Sequence, residues 1–209
     1  ALDAGLAEAQ AALRDLETSN APANFENCIV ALEEISQSLD HVAERLFNYN
    51  SACTSAEIQA LTKAYAPKLS ALSNDIRMSP KLFSKIQKVH DLDLDLDPES
   101  HMLLEKTYRG FIRNGALLHA EGQAELRRID ERLSQVGLEF SEHILADTET
   151  WHHPIIEADL AGLPESIRQM AAQAAQSRGL NGWILTLDAP LYMGFMTYAE
   201  NRNLRKTLW

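Results

Sequence analysis

Leu126, Ile129, Leu133, Val136, Phe140 and Ile144 follow one another at steps of three or four residues, the spacing that returns side chains to one face of an α-helix. The pattern predicts a long packed helix starting near Glu121 and running to about Asp147. Its spacing would also suit a coiled coil, but a coiled coil needs more sustained heptads, and Gly137 on the solvent side weakens that reading.

The residues before it read the same way. A first helix begins near Leu2 and pauses at the breaker Ser19-Asn20-Ala21-Pro22. From Phe25, Cys28, Ile29, Leu32, Ile35, Leu39, Val42 and Leu46 fall on one face and predict a single long helix. Thr54-Ser55-Ala56-Glu57 is a capping box, in which the Thr54 hydroxyl and Glu57 carboxylate each satisfy a free backbone N–H, and the helix it opens runs to about Asn74. Ser79-Pro80 and Asp97-Pro98 each set a capping side chain before a proline whose fixed φ suits the first helical turn. Gly115 can take the left-handed conformation that ends the second of these helices.

After Asp147 the period changes. Thr150 to Glu157 reads as a short strand, with Pro154 restricting it to an edge, and Trp183 to Leu187 reads as a second. Helices are expected from Gly162-Leu163-Pro164-Glu165 to Arg178-Gly179, from Pro190 to Tyr198 and from Asn201 to Leu208. The expected fold is therefore mainly α, a bundle of long antiparallel helices over residues 1–147, with a small mixed α/β portion over 148–209. No fixed-period repeat or low-complexity linker separates the two parts.

Composition excludes several function classes. With 19 basic and 30 acidic residues the net charge is −11, a field that repels phosphate backbones and anionic lipid surfaces, so neither nucleic acid nor membrane is an expected partner. No apolar run approaches the roughly 20 residues of a membrane span. Cys28 and Cys53 form no close-spaced metal or redox motif, and two free thiols in a reducing compartment are expected. The cytoplasm is the expected location, or the periplasm if a signal peptide has been trimmed, since the sequence does not start with Met.

The residues that could carry chemistry do not assemble into a motif. Asp91-Leu-Asp-Leu-Asp-Leu-Asp97 alternates carboxylates, but a calcium loop counted from Asp91 has Leu96 where Gly is needed and Met102 where Glu is needed. An acidic connection ending in a helix cap is expected instead. None of the seven histidines, His41, His90, His101, His119, His143, His152 and His153, is paired at the four-residue spacing that brings two imidazoles to zinc on one helix. His152 and His153 are adjacent in a strand, so one should be exposed and one partly packed. Cys28 lies on an apolar stripe and should be core, and no nucleophile elbow or phosphate-binding loop is present. Tyr192, Phe195 and Tyr198 recur at three-residue steps, as on a helix packed against a sheet.

Four stretches carry a family resemblance: Leu103 to Leu118 (LLEKTYRGFIRNGALL), Leu126 to Gln135 (LRRIDERLSQ), Ala158 to Ser166 (ADLAGLPES), and Gly182 to Pro190 (GWILTLDAP) running on to Tyr198 to Lys206 (YAENRNLRK). In that order they resemble the thimet oligopeptidase group of zinc metallopeptidases, which includes oligopeptidase A and the peptidyl-dipeptidases. The resemblance extends from about residue 75 to the end.

Proteins of that group are longer, and their zinc-binding His-Glu-x-x-His helix lies in a part that would follow Trp209. The resemblance thus implies a largely helical channel wall that confines short peptide substrates, with zinc in the full-length parent and no catalytic, cofactor-binding or metal residue in these 209 residues. It also implies packing against the parent's own catalytic half, and self-association of the isolated piece through the surface so uncovered. The alternative is a stand-alone helical scaffold or interaction domain without catalysis.

Overall fold

The computed structural model describes all 209 residues, which divide into two compact units, Ala1–Leu138 and Glu139–Trp209. The protein is mainly α-helical, with one two-stranded antiparallel sheet near its C-terminal end.

The first unit contains α1 (Leu2–Thr18), α2 (Ala31–Glu34), α3 (Gln37–Ala52), α4 (Ala56–Arg77), α5 (Pro80–His90), α6 (Pro98–Arg113) and the start of α7 (Ala120–Thr150). Its main core joins Leu13 of α1 with Ile29, with Leu82, Ile86 and Val89 of α5, and with Leu104 and Phe111 of α6. Phe83 stacks between Tyr108 and Phe111, with ring centroids 5.8 and 6.4 Å apart. A second cluster, Leu6, Ala9, Leu39 and Leu72, ties α1 to α3 and α4. Side by side with Leu39, Gly5 lets the two helices approach, because a Cβ on it would lie 3.2 Å from the Leu39 backbone.

The two Ser/Asp-Pro signals act as read. Ser79 accepts the Leu82 N–H at 3.2 Å, and Asp97 accepts those of Glu99 and Ser100 at 2.9 and 3.1 Å. Gly115 follows α6 with φ +96°, the left-handed conformation that any side chain would strain.

Three expectations need correction. The single helix expected from Phe25 to Leu46 is instead a π-helical turn (Glu26–Val30), then α2, then a break at Ile35–Ser36 before α3. The wider turn rotates the apolar face, so that Cys28 and Ile29 join the main core while Leu39 belongs to the second cluster. Ser36 sits at φ −122°, ψ 8°, outside the helical backbone, and donates its hydroxyl to Asp40 Oδ2 at 2.7 Å. The capping box is displaced by one residue: Ser55, not Thr54, accepts from Ile58 N–H at 3.3 Å, while Thr54 donates to Asn50 Oδ1 at 3.1 Å. Finally, α7 is helical over its whole predicted span, but none of its residues is buried; its first turns are tied down by Gln123, which donates to Met78 O and Gly115 O at 3.3 and 3.2 Å, and by Arg127, which donates to Asp75 Oδ1 at 2.7 Å.

In the second unit, β1 (His152–Ile155) pairs antiparallel with β2 (Trp183–Thr186), His153 lying opposite Leu185 and Pro154 opposite Ile184. Residues alternate between the two faces, so His152 is exposed, His153 half-buried and Ile155 buried. Helices α8 (Glu165–Ser177), α9 (Ala189–Tyr198) and α10 (Arg202–Leu208) complete the unit. Its core gathers Ile155, Leu185, Ala171, Phe195 and Leu208. Of the aromatic trio on α9 only Phe195 is fully buried; Tyr192 packs at the edge and Tyr198 is exposed. Gly194 makes the α8–α9 approach possible, since a methyl group there would overlap Ile167 Cδ1 and lie 2.9 Å from its Cγ1.

Candidate functional site

A groove in the first unit runs past the interruption at Ile35–Ser36, and both residues line it. Its volume is about 640 Å³. Leu32, Ile35 and Leu39 form one side, Leu72 and Ile76 of α4 another, and Phe111 of α6 contributes from the third. Gly110 also lines it, and a Cβ there would meet nothing within 4 Å, so the missing side chain leaves that part open.

Charged groups of both signs stand around this apolar lining. Glu33 and Asp40 come from α2 and α3; Arg77 and Lys106 come from α4 and α6. Arg77 Nη1 donates to Asn114 Oδ1 at 3.4 Å. Apolar surface with mixed charge at its margins can hold a short extended segment by burying side chains while its polar ends meet opposite charge. The hydroxyls that line the groove are those of Ser36, Ser73 and Thr107; that of Ser36 is bonded to the Asp40 carboxylate at 2.7 Å, and no histidine or thiol stands with them.

The best-connected titratable group lies on the other side of α6. His90, at the end of α5, has Nε2 2.9 Å from Glu105 Oε1 and its ring stacked on Tyr108 at 4.0 Å. Glu105 also pairs with Arg109 at 3.1 Å. Both ring nitrogens of His90 face carboxylates, those of Asp91 and Glu105, and its ring face stacks on Tyr108, so neither nitrogen is bonded to a hydroxyl or thiol it could activate. Joining α5 to α6 is what this arrangement does.

Groups with displaced pKa values are dispersed over the surface and the core. Asp3 is held below the usual carboxylate range by a hydrogen bond from Tyr65 and another from Lys68, and Tyr65 is raised in return. Glu125 is lowered and Arg128 raised by their mutual hydrogen bonds at 2.9 and 2.7 Å. Burial raises Cys28. No two of these pairs share a pocket, as an acid–base site would require.

The residues weighed in the sequence are placed as follows. His41, His101, His119, His143 and His152 are exposed, and His90 and His153 are half-buried. Cys28 is buried and Cys53 exposed, both as free thiols. In the acidic stretch Leu94 and Leu96 pack on the core while Asp91, Asp93 and Asp95 point outward. No three His, Cys, Asp or Glu side chains converge as metal ligands would, so the residues present do not fit a zinc site. The groove was not foreseen: its lining residues read as ordinary core positions, and the helical spacing runs unbroken through Ile35 and Leu39.

Comparison with known proteins finds oligopeptidase A of Salmonella typhimurium, 30% identical over 212 residues, covering 100% of this chain and 31% of the relative. Oligopeptidase A of Haemophilus influenzae is 33% identical over 188 residues, covering 88% of this chain and 28% of the relative. Dipeptidyl carboxypeptidase of Escherichia coli is 29% identical over 213 residues, covering 100% and 31%. The chain therefore spans less than a third of the length of these relatives. No protein-family model matches.

Proposed function

As a chain that corresponds to the amino-terminal region of proteins of the thimet oligopeptidase family, this protein is, we propose, the non-catalytic wall of the substrate channel in a zinc-dependent oligopeptidase that hydrolyses short peptides. The observation that carries the reading is the match itself, which runs through 100% of the chain and only 31% of a relative named as a peptidase. The side chains on hand support it from the other direction. They supply surfaces for contact and size selection, such as the groove over Leu39 and Leu72.

On this reading zinc and the groups that activate water belong to the part of the protein equivalent to the relatives' remaining length. When bound there, zinc would lower the pKa of a water towards neutrality and polarise the peptide carbonyl. These 209 residues bind and confine, and the remaining part packs against them. The exposed Cys53 thiol fits a reducing compartment, the cytoplasm. No helix is long and apolar enough to cross a membrane.

Metal analysis tests the division of labour. After dialysis against limiting zinc, the 209-residue chain should retain far less than one equivalent, and the natural full-length product close to one. Stoichiometric zinc on the short chain, removed by a chelator together with peptide hydrolysis, would overturn the proposal.

A further inference from the structure

The apolar stripe that predicted α7 remains uncovered. Leu133 and Phe140 are 61% and 64% exposed, and Ile129, Val136, Ile144 and Leu145 are exposed as well. From Ile129 to Ile144 the stripe extends for ~23 Å at the rise of an α-helix. Most helices of this kind are held by packing of their apolar face rather than by intrinsic propensity, yet α7 has no buried residue in 31. Two neighbouring leucines in the turn before it, Leu117 and Leu118, are exposed too.

We infer that this face of α7 is the seat of a segment from the remaining two thirds of the peptidase, packed permanently against it as part of one folded chain. The inference rests on the functional reading above and specifies which surface of this chain receives the other part. Three observations select that occupant. The relatives extend well beyond the matched region, which makes up 31% of the length of oligopeptidase A, so a cover of the same polypeptide has ample length. An apolar stripe of this length calls for a constant cover rather than a transient one. A second copy of the chain fits less well: the regular heptad spacing lasts only from Leu126 to Phe140, after which His143 stands at the next seam position, and two heptads are too few for a stable two-stranded coil.

Chemical labelling tests this on the natural full-length protein and on the 209-residue chain side by side. In a Cys53→Ser background, single cysteines replace Leu133, Phe140 or, as a control among the exposed residues of α7, Glu131, and maleimide labelling rates are read by mass spectrometry. All three should label within a few-fold of one another in the short chain. In the full-length protein, residues 133 and 140 should slow at least tenfold and residue 131 should not. Hydrogen exchange of the unsubstituted proteins, with α7 amides slowed in the longer one, gives the same answer without any substitution. Full-length protein that hydrolyses peptide yet labels at 133 and 140 as fast as at 131 overturns the docking surface and leaves the peptidase reading intact. A full-length product with neither zinc nor hydrolysis removes the functional reading instead, and the docking with it. Concentration-dependent protection of 133 and 140 in the full-length protein assigns the face to a second copy and also overturns the inference.

Discussion

Ser79 donates its hydroxyl to Glu17 Oε1 at 2.6 Å while the same oxygen accepts the Leu82 backbone N–H at 3.2 Å. One buried side chain therefore caps α5 and fastens it to α1. Ser79→Ala removes both bonds and should lower stability by about 1–2 kcal/mol, the usual loss for a helix cap. Urea unfolding followed by circular dichroism measures it, and an unchanged midpoint would show that water replaces the hydroxyl without loss.

Gly194 and Ile167 predict a compensating pair. Gly194→Ala gains helix propensity but forces the new methyl group into the Ile167 side chain, so a net loss of roughly 1 kcal/mol is expected from overpacking. Adding Ile167→Val makes room and should recover part of the loss. Additive losses in the double variant would refute the steric account.

Acid should weaken the cap of α6 through Asp97. Hydrogen bonds from the Ser100 hydroxyl and backbone, then from Glu99, hold this carboxyl below its ordinary value of 3.8. A carboxyl lowered in the folded state binds protons more readily when unfolded, so its contribution is present above 3.8 and fades as pH falls through the lower folded value. Asp97→Asn still caps the helix but cannot titrate. Its thermal midpoint should fall less steeply with acid than that of the parent, and parallel curves would contradict the assignment.

The two thiols should differ in reactivity. Cys53 is exposed, whereas Cys28 is buried and its pKa is raised by that burial, which keeps it in the unreactive thiol form. Native protein at neutral pH should take one maleimide and unfolded protein two, as counted by intact mass. Rapid double labelling of the native chain would mean that the core around Ile29 opens readily.

Helix existence was legible because each signal was local. Ser79-Pro80, Asp97-Pro98 and Gly115 act through their own backbone and nearby donors, and the structure uses all three. The break at Ile35–Ser36 was not legible, since Cys28 to Leu46 keeps helical spacing throughout while the chain divides its apolar residues between two cores. Neither was the capping residue of α4: Thr54 and Ser55 are chemically equivalent candidates, and the choice depends on where Thr54 finds Asn50. Periodicity located α7 but could not say whether its apolar face meets a partner inside this chain, because spacing records that a face is apolar and not what covers it. The groove escaped for a related reason. Leu39 and Leu72 look like any core leucines, and helical spacing does not record the open space they line.

Peptide hydrolysis by the natural full-length product, compared with the 209-residue chain in the same assay, tests the central claim most directly. The full-length protein should cleave a quenched-fluorescent short peptide, lose that activity to a zinc chelator and regain it with added zinc, while the short chain remains inactive under every condition. Chelator-sensitive cleavage by the short chain, or no cleavage and no bound zinc in the full-length protein, would contradict the account.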